Sequence, residues 1–175
     1  MQRIKKMKKL ELFLNIIHYQ WFKFELWSSD IIQYPFILMM RPMYKSKWYQ
    51  KRTGWDNPEK ELKKAMRDPE KSVNSILAGA VMNGLLTMIF IGIVIIVSGL
   101  IRDYLPSWIF VVGGAPALFI SYIFIFKEDK YLQYFKEFDN KPENWQKKWA
   151  WITFFTIIGV SSYFVGCFTF MIHRI

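Results

Sequence analysis

Residues 76–100 read ILAGAVMNGLLTMIFIGIVIIVSGL, with no charged side chain among them. At 1.5 Å per residue the stretch is longer than the roughly 30 Å hydrocarbon core of a bilayer. A backbone in lipid has no water to satisfy its N–H and C=O groups, so such a segment must be helical. The uncharged run extends outward to cover residues 72–101, and two more follow at 104–126 and 149–172. Each exceeds the roughly 18 residues that mark a membrane helix. The sequence therefore predicts an all-α integral membrane protein with three transmembrane helices, at about 76–100, 105–126 and 149–172.

Composition alone would mislead. Hydrophobic residues make up 53% of the chain and charged residues 22%, which would suit a soluble protein. The two classes are segregated into blocks, and that pattern indicates a membrane rather than a mixed globular core. The flanks agree. Trp145, Trp149 and Trp151 accompany Lys147 and Lys148 before the third run, and Tyr104 and Trp108 open the second. Aromatic rings and long basic side chains favour that interfacial level. Pro116, after Gly113 and Gly114, predicts a kink or a local break in the second helix.

Charge sets the expected orientation. Of the 24 Lys and Arg, 16 lie in residues 1–71 beside eight of the 14 Asp and Glu, and residues 127–148 carry six lysines. Basic residues stay on the cytoplasmic side. Residues 1–71 are expected inside as a basic, aromatic helical region. Residues 72–175 are expected to form the membrane domain, with an outer hairpin at 102–107 and a cytoplasmic linker helix within 127–148. The N-terminus is then cytoplasmic and the C-terminus outside, in the cell (inner or plasma) membrane. The leader, with Arg3, Lys5, Lys6, Lys8 and Lys9, resembles the start of a signal peptide. Glu11, Asn15 and His18 interrupt what would be its apolar part, so it is expected to be retained.

Within 1–71, Leu10, Phe13, Leu14, Ile17, Trp21 and Phe24 share one helical stripe, with Lys8, Glu11, Asn15, His18 and Glu25 on the other side. An interfacial amphipathic helix over 10–27 is expected, either lying in the lipid interface or packed on the spans. Residues 31–40 are too short to span and contain Pro35, which predicts a buried or interfacial segment. Residues 44–52 alternate basic and aromatic side chains, suited to lipid head groups more than to single-stranded nucleic acid. Asn57, Pro58 and Glu59 read as a helix start, ending near Arg67. Residues 127–139 are expected to continue the second helix, with Tyr131, Phe135 and Phe138 on one stripe and a break at 139–143.

Catalytic constellations are not found. The two histidines, His18 and His173, fall on opposite sides of the membrane in this topology, so no metal site is expected, and no cofactor motif is present. The single Cys167 gives no disulfide framework and reads as a packed thiol. No span holds an Asp, Glu, Lys or Arg, which argues against a carrier but leaves room for a passive pore. Asn83 is the polar residue most in need of a helix–helix hydrogen bond. Ala80 with Gly84, and Ser162 with Gly166, form small-xxx-small pairs that suit close helix contact, with packing among the chain's own spans the plainer use. Asp30, Asp56 and Asp139 are the acids a lipid enzyme would need, but nothing pairs them. The expected role is non-enzymatic, with no catalytic, cofactor-binding or metal-binding residues. The chain would bind the lipid bilayer and a membrane-protein partner or a second copy, and no nucleic acid. It would serve as an accessory subunit, regulator or immunity-type protein. The alternative is a self-assembling pore or membrane-disrupting effector.

Overall fold

A computed structural model describes residues 2–101 and 108–173. The expected outer hairpin at 102–107 lies outside the described residues, which are helical almost throughout. In chain order the helices are α1 (Gln2–Tyr44), α2 (Lys47–Thr53), α3 (Pro58–Arg67), α4 (Val73–Ile101), α5 (Trp108–Ser121), α6 (Lys130–Asp139) and α7 (Glu143–Ile172), with a π turn at Tyr122–Phe126. Three helical stretches are long and apolar enough to cross a membrane: Val73–Ile101, Val111–Asp139 and Glu143–Ile172. The second is interrupted, because Glu128 and Asp129 have φ of 60° and 52°. Its continuous apolar part, residues 108–126, is still about 28 Å long.

The chain divides into two units, Met1–Gln20 with Gly79–Ile175, and Trp21–Ala78. In the first, close approaches fix how the long helices run. A Cβ on Gly79 of α4 would lie 3.1 Å from the Phe126 ring, and one on Gly113 of α5 would lie 3.1 Å from Ile91. As α4 advances its partner recedes, so α4 and α5 are antiparallel. Gly92 faces Tyr163 of α7, and Gly99 faces Phe170. Both pairs advance together by seven residues, so α4 and α7 are parallel. The up–down–up order agrees with three successive crossings.

The expectation that residues 127–139 continue the second helix is corrected: Glu128 and Asp129 break it. The two left-handed residues, costly for anything but glycine, turn the chain into the separate helix α6. That turn strands the last carbonyls of the π turn, which lack onward helical donors. Asn15 of α1 donates its side-chain N–H to the Phe124 carbonyl (2.9 Å), and the Lys130 ammonium donates to that of Ile123 (3.4 Å). Tyr131, Phe135 and Phe138 of α6 are buried. They face Tyr19 and His18 of α1, with ring centroids 5.2–5.6 Å apart.

The expected stripe on α1 is therefore corrected. Leu14 to Gln20 are buried on every side, Asn15 and His18 completely, while Leu10 and Phe24 of the supposed apolar face are exposed. Of the two alternatives for this stretch, packing against the chain's own helices holds for residues 14–20. Helical periodicity assigned Asn15 and His18 to water, whereas a carbonyl released 109 positions later receives Asn15.

In the second unit, α1 runs unbroken through Pro35 and Pro42. Proline removes one backbone hydrogen bond and crowds the preceding turn, at a cost of about 3 kcal/mol. Here the helix is anchored on both sides of Pro35. Asp30 pairs with Arg67 (2.9 Å) and Arg41 with Glu59 (3.4 Å), so α3 lies antiparallel along α1. The expected start of α3 is present: the Asn57 side chain accepts from the Lys60 N–H at 3.1 Å, with Pro58 in the first turn.

Candidate functional site

Three places combine unusual chemistry with a defined geometry. The first is the cluster where residues 11–19 of α1 meet α6. Glu11 accepts from the Lys130 ammonium (3.2 Å) and from the Tyr134 hydroxyl (3.0 Å). Tyr19 donates its hydroxyl to the Asp139 carboxylate at 2.8 Å. His18 sits among Phe126, Tyr131 and Phe135 with neither ring nitrogen hydrogen-bonded to protein. Burial without a partner disfavours the imidazolium, and its pKa is lowered from 6.5 to about 4. A neutral imidazole with no acid or nucleophile in hydrogen-bond reach lacks the geometry of a catalytic base. The cluster is built to hold α1 against α6.

The second place is the basic–aromatic segment of the second unit. Tyr44 and Lys45 close α1, and Lys47, Trp48, Lys51 and Arg52 lie on the short helix α2, which Gly54 terminates with φ of 70°. The Arg52 guanidinium stacks over the exposed Trp48 ring at 5.3 Å. Tyr44 and Tyr49 pack together, centroids 5.6 Å apart. Beside this segment, α1 and α3 enclose a cleft of about 190 Å³ lined by Asp30, Arg41, Glu59, Lys63 and Arg67. The cations in it are already matched with Asp30 and Glu59, so the cleft reads as the seam of the helix pair. One residue here escaped sequence reasoning. Asn74 is buried at the start of α4, accepts from the Ser29 hydroxyl (2.9 Å) and donates to the Met66 carbonyl (3.1 Å). The available signal was an amide in the first turn of an otherwise apolar run.

The third place is the outer face of α7. Nothing lies within 4 Å of a Cβ built on Gly159 or Gly166, and Ser162 between them is exposed. A shallow apolar groove of about 440 Å³ adjoins it, lined by Ile96, Tyr163, Gly166, Cys167 and Phe170. Only 6% of the apolar window of α7 is buried within the chain. Gly84 is open in the same way. The small-xxx-small pairs of the sequence are thus not where the spans approach one another; Gly79, Gly92, Gly99 and Gly113 are. The seven-residue spacing of Gly92 and Gly99 was the overlooked signal. The Asn83 side-chain oxygen is buried without a protein hydrogen-bond partner, so the expected helix–helix bond through that atom is not made within the chain.

The three acids are not gathered into a site. Asp30 pairs with Arg67, Asp139 accepts from Tyr19, and Asp56 is exposed in the loop before α3. His18 packs against Phe126, Tyr131 and Phe135, whereas His173 caps the C-terminal end of α7. Among the described residues no group of three or more His, Cys, Asp or Glu could hold a metal ion. No protein-family model, curated protein or solved structure matches this chain.

Proposed function

We propose that this chain is a multi-pass protein of the cell membrane that acts by binding a membrane-protein partner, as an accessory subunit, regulator or immunity-type protein, and that it is not an enzyme. In this reading the N-terminus and α6 are cytoplasmic and the C-terminus is outside, the orientation that the excess of basic residues in 1–71 and 127–148 favours. The observation that carries the proposal is the open face of α7. Gly159, Ser162 and Gly166 follow one another at i, i+3 and i+7. Glycine weakens a helix by about 1 kcal/mol relative to alanine, and lipid gains nothing from it. Close approach of a second helix does, through backbone packing and hydroxyl contacts. The separate engagement of Asp30 and Asp139 supports the non-enzymatic part.

A photo-reactive amino acid at Ser162, activated in native membranes, tests this directly. An adduct with a different membrane protein at defined mass is expected. An adduct only with a second copy would replace the proposal with the self-assembling pore. Adducts with lipid alone would overturn both.

A further inference from the structure

The stretch of α1 from residue 31 to residue 40 has no charged side chain, yet within its unit only Ile37 is buried. The expectation of a buried segment does not hold, and the question is what covers it. The flank facing α3 is fixed by the ion pairs at Asp30 and Arg41 and by the burial of Ile37. At 100° per residue, Ile32, Phe36 and Met39 lie about 140°, 100° and 160° around the helix from Ile37. They are 63%, 64% and 77% exposed, and Ile31, Tyr34 and Leu38 around the same stretch are exposed as well. The pair of helices is therefore two-sided. α3, with Lys60, Glu61, Lys63 and Lys64, presents charge on one side, and α1 presents an apolar stripe on the other. A contiguous apolar face of this kind marks a binding surface.

We infer that this face rests on the anionic cytoplasmic leaflet, with α1 lying in the membrane plane and α2 at head-group level. Three observations select lipid over a protein partner. Exposed cations at Lys45, Lys47, Lys51 and Arg52 follow the stripe directly, complementing phosphate-bearing lipids, and Trp48 stands 63% exposed among them. The polar helix α3 shields the side away from the stripe, as an interfacial helix requires. The same unit contains the first turn of α4, a helix of spanning length, and the Ser29–Asn74 hydrogen bond ties α1 to that turn. The bilayer surface is thus within this unit's own reach. The inference is independent of any protein partner at α7.

The test uses the full chain carrying Cys167→Ala, with single cysteines from Met39→Cys or Lys60→Cys labelled with an environment-sensitive fluorophore. The protein is reconstituted in nanodiscs of phosphatidylcholine with phosphatidylglycerol. Brominated lipids should quench the probe at position 39 and aqueous iodide the probe at position 60. Removing the cations at 45, 47, 51 and 52 by Gln substitution should lower the relative affinity for phosphatidylglycerol over phosphatidylcholine, read from titrations of the two brominated lipids, by about fivefold for each cation in contact with the leaflet. Iodide access at position 39 would overturn the inference. Shielding of position 39 from both quenchers would also overturn it, in favour of a protein cover. An unchanged lipid preference in the Gln variant would overturn the anionic-lipid assignment.

Discussion

Acidification should loosen the cluster around His18. In the unfolded chain this imidazole takes up a proton near pH 6.5, whereas in the fold burial lowers its pKa to about 4. Between those values the unfolded state binds more protons, so stability falls as pH falls. The contribution of the neutral ring is complete above pH 6.5 and is lost as pH drops toward 4. One pKa unit corresponds to about 1.4 kcal/mol, so lowering pH from about 7 to about 4.5 should cost on the order of 2–3 kcal/mol. Lys130, Glu11 and Asp139 are charged groups on the elements packed around His18, each in hydrogen-bond contact with its own partner. The assay is SDS-induced unfolding of purified protein in mild detergent, followed by tryptophan fluorescence at several pH values. His18→Leu removes the titrating group and two unpartnered ring nitrogens. At pH about 7 it should be within about 1 kcal/mol of wild type, because deleting an unsatisfied polar group offsets the altered packing. Its unfolding midpoint should be nearly flat over the same pH range. Parallel pH profiles for wild type and His18→Leu would refute the reasoning.

The glycines make a paired prediction. Gly92→Ala drives a methyl to within 2.5 Å of the Tyr163 ring, and such overpacking should cost about 1–3 kcal/mol in the same assay, while Gly84→Ala, where nothing lies within 4 Å, should leave stability of the isolated chain unchanged or slightly raised. Tyr19→Phe removes the hydroxyl bonded to the Asp139 carboxylate and should cost about 1.5–3 kcal/mol, read from its unfolding midpoint. Asn74→Ala strips both the Ser29 and Met66 contacts and should cost about 1–3 kcal/mol, with faster hydrogen exchange in α3.

How far the sequence could be read depended on whether a feature is local. Hydropathy located all three apolar helices, because 29 uncharged residues such as Val73–Ile101 have few other structures open to them. Asn57 with Pro58 marked the start of α3, since capping involves residues three apart. The break at 139–143 was legible from Asn140, Pro142 and their neighbours. Long-range effects were not. Asn15 and His18 looked like a solvent face until the chain turned at Glu128 and Asp129 and brought the π turn and α6 onto them. The aromatic stripe of α6 was legible as a stripe, but its cover by α1 was not. Pro35 reads as a break on its own, and only the ion pairs from α3, invisible in a local window, hold α1 through it. The small-residue pairs pointed to real glycines but not to the contacts among this chain's own spans, because spacing shows which residues share a face without showing what that face meets.

The central claim is that the chain works through another protein in the membrane. Affinity purification from native membranes in mild detergent, followed by native mass determination, tests it most directly. The account predicts a stoichiometric complex with a different membrane protein, lost when Gly159 and Gly166 are replaced by Leu while the isolated chain stays folded. A homo-oligomer with no other protein, or a lone 21.1 kDa chain from membranes where its function is intact, would contradict it.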